Sequence, residues 1–291
     1  MSYDDDHVYS AITEDNDDTR WAYGTGFSDP LAGVDTAVPE GVDGADLAAY
    51  CLMLGDDALV MSHRLQEWCA RAPELEDDVA LANIGLDLLG QARLLLTRAG
   101  HADGTGRSED ALAFHRDAAD FRNVRLVEVA NGDFAHTIVR LLVFATWRLA
   151  LLTRLVTSAD PVLAAVADKG VKEVTYHRDY AARWLLRLGD GTEVSRERAL
   201  DGLAAVWPLT GELFAAHPVE ARLAAAGVAV DPADLRGEFD AVLDEVLAAA
   251  TLPRPADLPS TAGRDGEHTG DLAGLLAVMQ ELPRAHPDAT W

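Results

Sequence analysis

With 291 residues, 49% of them hydrophobic, the chain is long enough to bury a sizeable core, as one large domain or two smaller ones. Aromatics make up only 7%, and no segment alternates with period two in Val, Ile and Thr, which argues against a sheet and leaves an all-α protein. Acidic residues exceed basic ones by 25; this speaks against nucleic acid and anionic membrane surfaces, which are bound by neutralising phosphates with Lys and Arg.

A basic protein partner fits that charge, and so does an acid-rich surface that reflects a salty or high-GC host and has no partner meaning. Cys51 and Cys69 fall on one predicted helix, about 27 Å apart at ~1.5 Å per residue, so they cannot pair and read as buried thiols in a reducing cytosol. The sequence shows no charged-then-apolar leader and no uninterrupted apolar run near the ~20 residues a span needs. A cytoplasmic protein is expected.

Residues 1–43 read as an acidic, disordered arm with Asp4-Asp5-Asp6 and Asp17-Asp18, in which Tyr9, Trp21, Tyr23 and Phe27 are candidates for docking. Residues 44–291 read as a single helical domain. Leu47, Cys51, Leu54, Ala58, Met61, Leu65 and Trp68 step by four and three, the seam of a first bundle helix. After Pro73, Leu81, Ile84, Leu88, Gln91 and Leu95 repeat that spacing in a second helix, stopped by Gly100, with Gln91 on the seam.

A short helix is expected around Glu109–Ala118, then a long third helix from Arg122 to Thr157 whose apolar faces nearly encircle it between Val139 and Leu155. The fourth starts after Asp160 with Pro161 at its first position; its seam runs through Leu163, Val166, Gly170, Val174, His177, Ala181 and Trp184 to Gly189-Asp190-Gly191. Thr192 N-caps a fifth helix that Pro208 stops, residues 231–250 form another, and Asp271–Leu282 form a last short one.

Two of these helices have the spacing of a carboxylate-bridged di-iron bundle, in which Glu-x-x-His projects carboxylate and imidazole toward two metals. Here the motifs read Leu88-x-x-Gln91 and Val174-x-x-His177, so the ligand chemistry has been removed. Neither Leu88 nor Val174 can bind a metal or a bridging oxygen, and a buried His177 should hydrogen-bond Gln91 or Asp87 on the facing helix. Other carboxylates on offer are Asp56, Asp57 and Glu128. Asp133 with His136 (i, i+3) and Glu173 with His177 (i, i+4) form an alternative ligand set for iron or manganese between the third and fourth helices. Arg178, Arg183 and Arg187 suggest a third reading, an anion site such as one for CoA phosphates.

Leu54-Gly55-Asp56, Leu65-Gln66-Glu67-Trp68-Cys69, Leu75 through Ile84, Leu86 through Arg93, Asn131 through Ala135, Val171 through His177, Trp184 through Glu193 and the loop Gly266-Glu267-His268-Thr269 closely resemble the C-subunit family of bacterial phenylacetyl-CoA epoxidases. The match covers roughly residues 45–291. The resemblance implies a ferritin-like four-helix bundle with additional C-terminal helices, and a place in a multicomponent oxygenase of phenylacetate degradation. It implies a catalytic A subunit as partner, holding the di-iron site and the CoA thioester, and a reductase with FAD and an iron–sulfur centre that passes on electrons from NADPH. The A-subunit motif Asp-Glu-x-x-His corresponds to Asp87-Leu88-Leu89-Gly90-Gln91, and its second Glu-x-x-His to Val174 through His177. The chain itself is then expected to hold no cofactor, to lack catalysis of its own, and to pair with a homologous bundle.

Overall fold

The computed structural model describes residues 31, 33–257, 263–287 and 289. Among them ten α-helices and no strand occur: α1 (Gly44–Gln66), α2 (Leu75–Ala102), α3 (Glu109–Phe114), α4 (Arg125–Glu128), α5 (Phe134–Leu155), α6 (Pro161–Gly189), α7 (Glu193–Val206), α8 (Pro218–Ala225), α9 (Arg236–Ala249) and α10 (Gly270–Ala285). The long helices α1, α2, α5 and α6 make the bundle. The tightest packing is within the hairpins α1–α2 and α5–α6, while α2 and α6 meet across the bundle; α7 and α9 lie against α5 and α6, α8 against α1, and α10 against α3 and α4.

The seams form the core as their spacing requires: Leu47, Cys51, Leu54, Ala58, Met61 and Leu65 on α1 are buried, as are Leu81, Ile84, Leu88 and Leu95 on α2 and Val166, Val174 and Ala181 on α6. The helix starts also follow local chemistry. Asp43, Asp160 and Thr192 accept from backbone N–H groups of the first turns of α1, α6 and α7.

Three expectations need correction, and one helix is not announced by the sequence pattern. The third helix does not run from Arg122 to Thr157: α4 ends at Glu128, the chain turns through Gly132 at φ +62°, and α5 restarts with Asp133 as its N-cap. Apolar spacing continues across this break, but a left-handed glycine followed by a capping aspartate ends one helix and begins the next. Cys51 is buried, whereas Cys69 is exposed in the turn after α1. The helix α8 has no apolar seam long enough to announce it, although His217-Pro218 and Glu220 give it an N1 proline and a capping box. Finally, the chain reaches the bundle before residue 44: Val34, Val38 and Val42 pack on the core, and Arg98 donates to the carbonyls of Thr36 and Ala37 while pairing with the buried Asp160. Tyr9, Trp21, Tyr23 and Phe27 lie outside the described residues.

Candidate functional site

Where a di-iron protein would gather its ligands, α2 and α6 aim Leu88, Gln91, Val174 and His177 inward; Leu88 and Val174 are 0% exposed. Into this space α5 sends Arg148, also fully buried. Its Nε donates to Gln91 Oε1 at 2.9 Å, its Nη1 donates to the Leu54 carbonyl of α1 at 3.3 Å, and its guanidinium lies 5.6 Å from the centre of the Phe144 ring. The other end of the Gln91 amide donates to Glu173 Oε2 at 2.9 Å, and Glu173 in turn lies 3.4 Å from Lys169. His177 Nε2 stands 3.0 Å from Asp87 Oδ2, the partner expected of a buried imidazole.

The centre of the bundle is thus filled by one hydrogen-bonded chain that links all four long helices. Its donor set does not fit a di-iron group. Two metals need about four carboxylates to neutralise and bridge them, plus imidazoles; these positions supply two aliphatic side chains, an amide used at both ends and an imidazole tied to Asp87. Burial pulls the Arg148 guanidinium down to about 10, so it remains a cation at neutral pH and repels any metal cation placed beside it.

Each further carboxylate is engaged in structure. Asp56 is paired with Arg116, which also stacks on Phe121. Asp57 receives Arg264 through Nη1 at 3.0 Å and Nη2 at 2.9 Å, and the Val124 N–H at 2.8 Å. Burial works against the Arg264 charge, yet Asp57, Glu220 and Glu212 around it raise its pKa and hold it cationic. Glu128 lies 2.6 Å from His268 Nδ1 and accepts from Asn123 at 2.9 Å; burial alone would raise its pKa, but these bonds and the Thr269 N–H hold it below the usual glutamate range.

The alternative ligand set is not brought together. Asp133 caps α5, accepting from the His136 N–H at 3.0 Å and lying 2.9 Å from its Nδ1, while Glu173 and His177 serve the α2–α6 seam. Among the described residues no three His, Cys, Asp or Glu side chains converge as a metal site. Of the arginines on α6, Arg178 lies 3.5 Å from Asp179 and Arg187 stacks on Trp184 at 5.2 Å. Sequence reasoning missed Arg148 and Arg264. For Arg148 a signal existed: with Arg140 it is one of two arginines that interrupt the otherwise nearly apolar stretch of α5 from Val139 to Leu152.

A helical bundle built from two hairpins, with extra C-terminal helices and Leu88, Gln91, Val174 and Arg148 at its centre, defines an all-helical, ferritin-like protein. The chain belongs to the phenylacetic acid catabolic protein family, whose model matches residues 34–291. It is similar to the C subunit of the 1,2-phenylacetyl-CoA epoxidase of Escherichia coli strain K12, with 48% identity over 246 residues, 84% of this chain and 99% of that protein.

Proposed function

We propose that this chain is a non-catalytic structural subunit of a multicomponent phenylacetyl-CoA 1,2-epoxidase, working in the cytoplasm in aerobic phenylacetate degradation. Its partner in this reading is a di-iron catalytic subunit of like fold, which receives electrons from NADPH through a reductase carrying FAD and an iron–sulfur centre. The similarity to the C subunit of an epoxidase supports membership in such a complex. The observation that carries the non-catalytic part is the Arg148 guanidinium bonded to Gln91 between Leu88 and Val174, a constellation that keeps a bundle rigid without metal.

Two measurements test it. Co-expression with the catalytic subunit of the same host should yield a stable complex with phenylacetyl-CoA-dependent NADPH oxidation once reductase is added, and omitting this chain should abolish that activity. Iron and manganese per chain, measured on protein from metal-replete cells purified without chelator, should be near zero. Stoichiometric metal, about two per chain as a carboxylate-bridged centre holds, would overturn the reading.

A further inference from the structure

Tyr176, Tyr180 and Trp184 follow one another at intervals of four along one side of α6. Spacing alone would suit an ordinary aromatic edge of the core, but the polar partner of these rings is an acid. Asp77, in the first turn of α2 and only 5% exposed, accepts the Tyr180 O–H at 2.8 Å and the Trp184 Nε1–H at 2.9 Å, both on Oδ1. Its second oxygen, Oδ2, is buried without a hydrogen-bond partner. A carboxylate offers about four acceptor sites; this one uses a single oxygen for both rings and keeps the other open to a proton.

The rings continue on both sides of this acid. Trp184 meets Phe134 edge-on at 4.9 Å between centroids, and Phe134 meets Trp68 at 5.6 Å; in the other direction Tyr180 stacks at 6.5 Å on Tyr176, which is 53% exposed. Tyrosine and tryptophan are the aromatic side chains that give up an electron most readily. A phenol does so far more easily when its proton has an acceptor, because the oxidised phenol is a strong acid. Burial and the bond to Asp77 raise the Tyr180 pKa, so the group is a neutral phenol at pH 7 and has to lose its proton with the electron. The Arg187 guanidinium, 5.2 Å from the Trp184 ring centre, disfavours a positive charge on the indole, whereas Tyr180 is neutral once its proton has left.

We propose that Tyr180, with Asp77 as its proton acceptor, is a redox-active tyrosine that takes up oxidising equivalents from small oxyradicals and passes them through Tyr176 to solvent. A one-electron oxidant such as the carbonate radical takes an electron from Tyr180 and is reduced to carbonate; the O–H bond breaks, the proton goes to Asp77, and a neutral tyrosyl remains. Tyr176 then gives an electron to Tyr180 and its own proton to water, while Asp77 returns its proton to the Tyr180 oxygen. A soluble thiol restores Tyr176 by donating a hydrogen atom and becomes a thiyl radical. The inference stands apart from the epoxidase reading, since it requires neither a metal in this chain nor a catalytic subunit.

The test is flash oxidation of the full chain by photogenerated ruthenium(III) tris-bipyridine, followed by transient absorption and electron paramagnetic resonance. Tyr3→Phe, Tyr9→Phe and Tyr23→Phe form the background, so that Tyr50, Tyr176 and Tyr180 are the remaining tyrosines. Tyrosyl formation is expected at a rate that does not depend on the concentration of buffer base, because the acceptor is built in. Tyr180→Phe and Asp77→Asn should each slow it about tenfold or more and make it proportional to added phosphate, as for a phenol in water, while Tyr50→Phe should change neither. Melting followed by circular dichroism checks the fold; if Asp77→Asn melts early, Tyr180→Phe, which removes one hydroxyl, decides alone. An unchanged rate in Tyr180→Phe or in folded Asp77→Asn would make the cluster a structural hydrogen bond and overturn the proposal, as would a buffer-dependent rate in the background chain.

Discussion

At the scale of single residues, buried charges determine how this bundle is held. Arg264 reaches Asp57 from a loop 207 residues away and also donates to the carbonyls of Met53 at 3.0 Å and Arg122 at 2.8 Å. Removing one member leaves the other charged and desolvated, so Arg264→Met should cost about 3–5 kcal/mol in urea unfolding, while Asp57→Leu with Arg264→Met should recover most of that loss. Glu128 and His268 give a pH signature. Burial disfavours the His268 cation, but Glu128 and the Phe121 carbonyl outweigh it and raise the pKa above 6.5. A raised histidine contributes fully below its ordinary value and loses that contribution as pH rises through the folded one. Glu128, lowered from 4.5, contributes above 4.5 and loses this as pH falls through its folded value. The pair therefore stabilises most between pH 4.5 and 6.5, and His268→Gln should flatten the decline in urea midpoint above pH 6.5 relative to wild type.

At the scale of elements, helix existence and orientation are legible in the sequence because apolar residues repeat at three and four. The seam alone places Val174 and His177 inward, as found. The break before α5 is harder to read, since Leu126, Val127, Phe134 and Ile138 keep an apolar rhythm across it, and only the Gly132-Asp133 pair announces a stop and a cap. Asp133 illustrates how spacing misleads: a carboxylate three residues before a histidine is also the spacing of an N-cap. Asp133→Ala should lower stability by about 1 kcal/mol, equally with added manganese or with chelator, and Asp133→Ser should retain most of it. A loss confined to the metal-replete sample would make Asp133 a ligand after all.

For the whole molecule, distant segments close onto the bundle. The stretch from Val34 to Val42 packs on the core and supplies two carbonyls to the buried Arg98, and the loop before α10 delivers Arg264 and His268 to α1 and α4. A chain starting at residue 44 should therefore be less stable by about 1–3 kcal/mol, because Arg98 loses two carbonyl acceptors, α1 loses its Asp43 cap and the valines leave the core. Differential calorimetry of that truncation beside the full chain measures it; equal melting temperatures would mean that Asp160 alone satisfies the arginine.

The sequence by itself determined the all-helical class, the seams of α1, α2 and α6, the starts of α6 and α7 at Asp160 and Thr192, and the aliphatic side chains at Leu88 and Val174, because each of these depends on residues within a few turns of one another. Tertiary structure alone decided that Arg148 fills the bundle centre, that Asp56 and Asp57 face buried arginines, that Asp133 and His136 stand apart from Glu173 and His177, and that Asp77 meets Tyr180 and Trp184. Those outcomes depend on which side chains meet across helices and loops far apart in sequence, and periodicity along one helix fixes a direction for a side chain without fixing its partner.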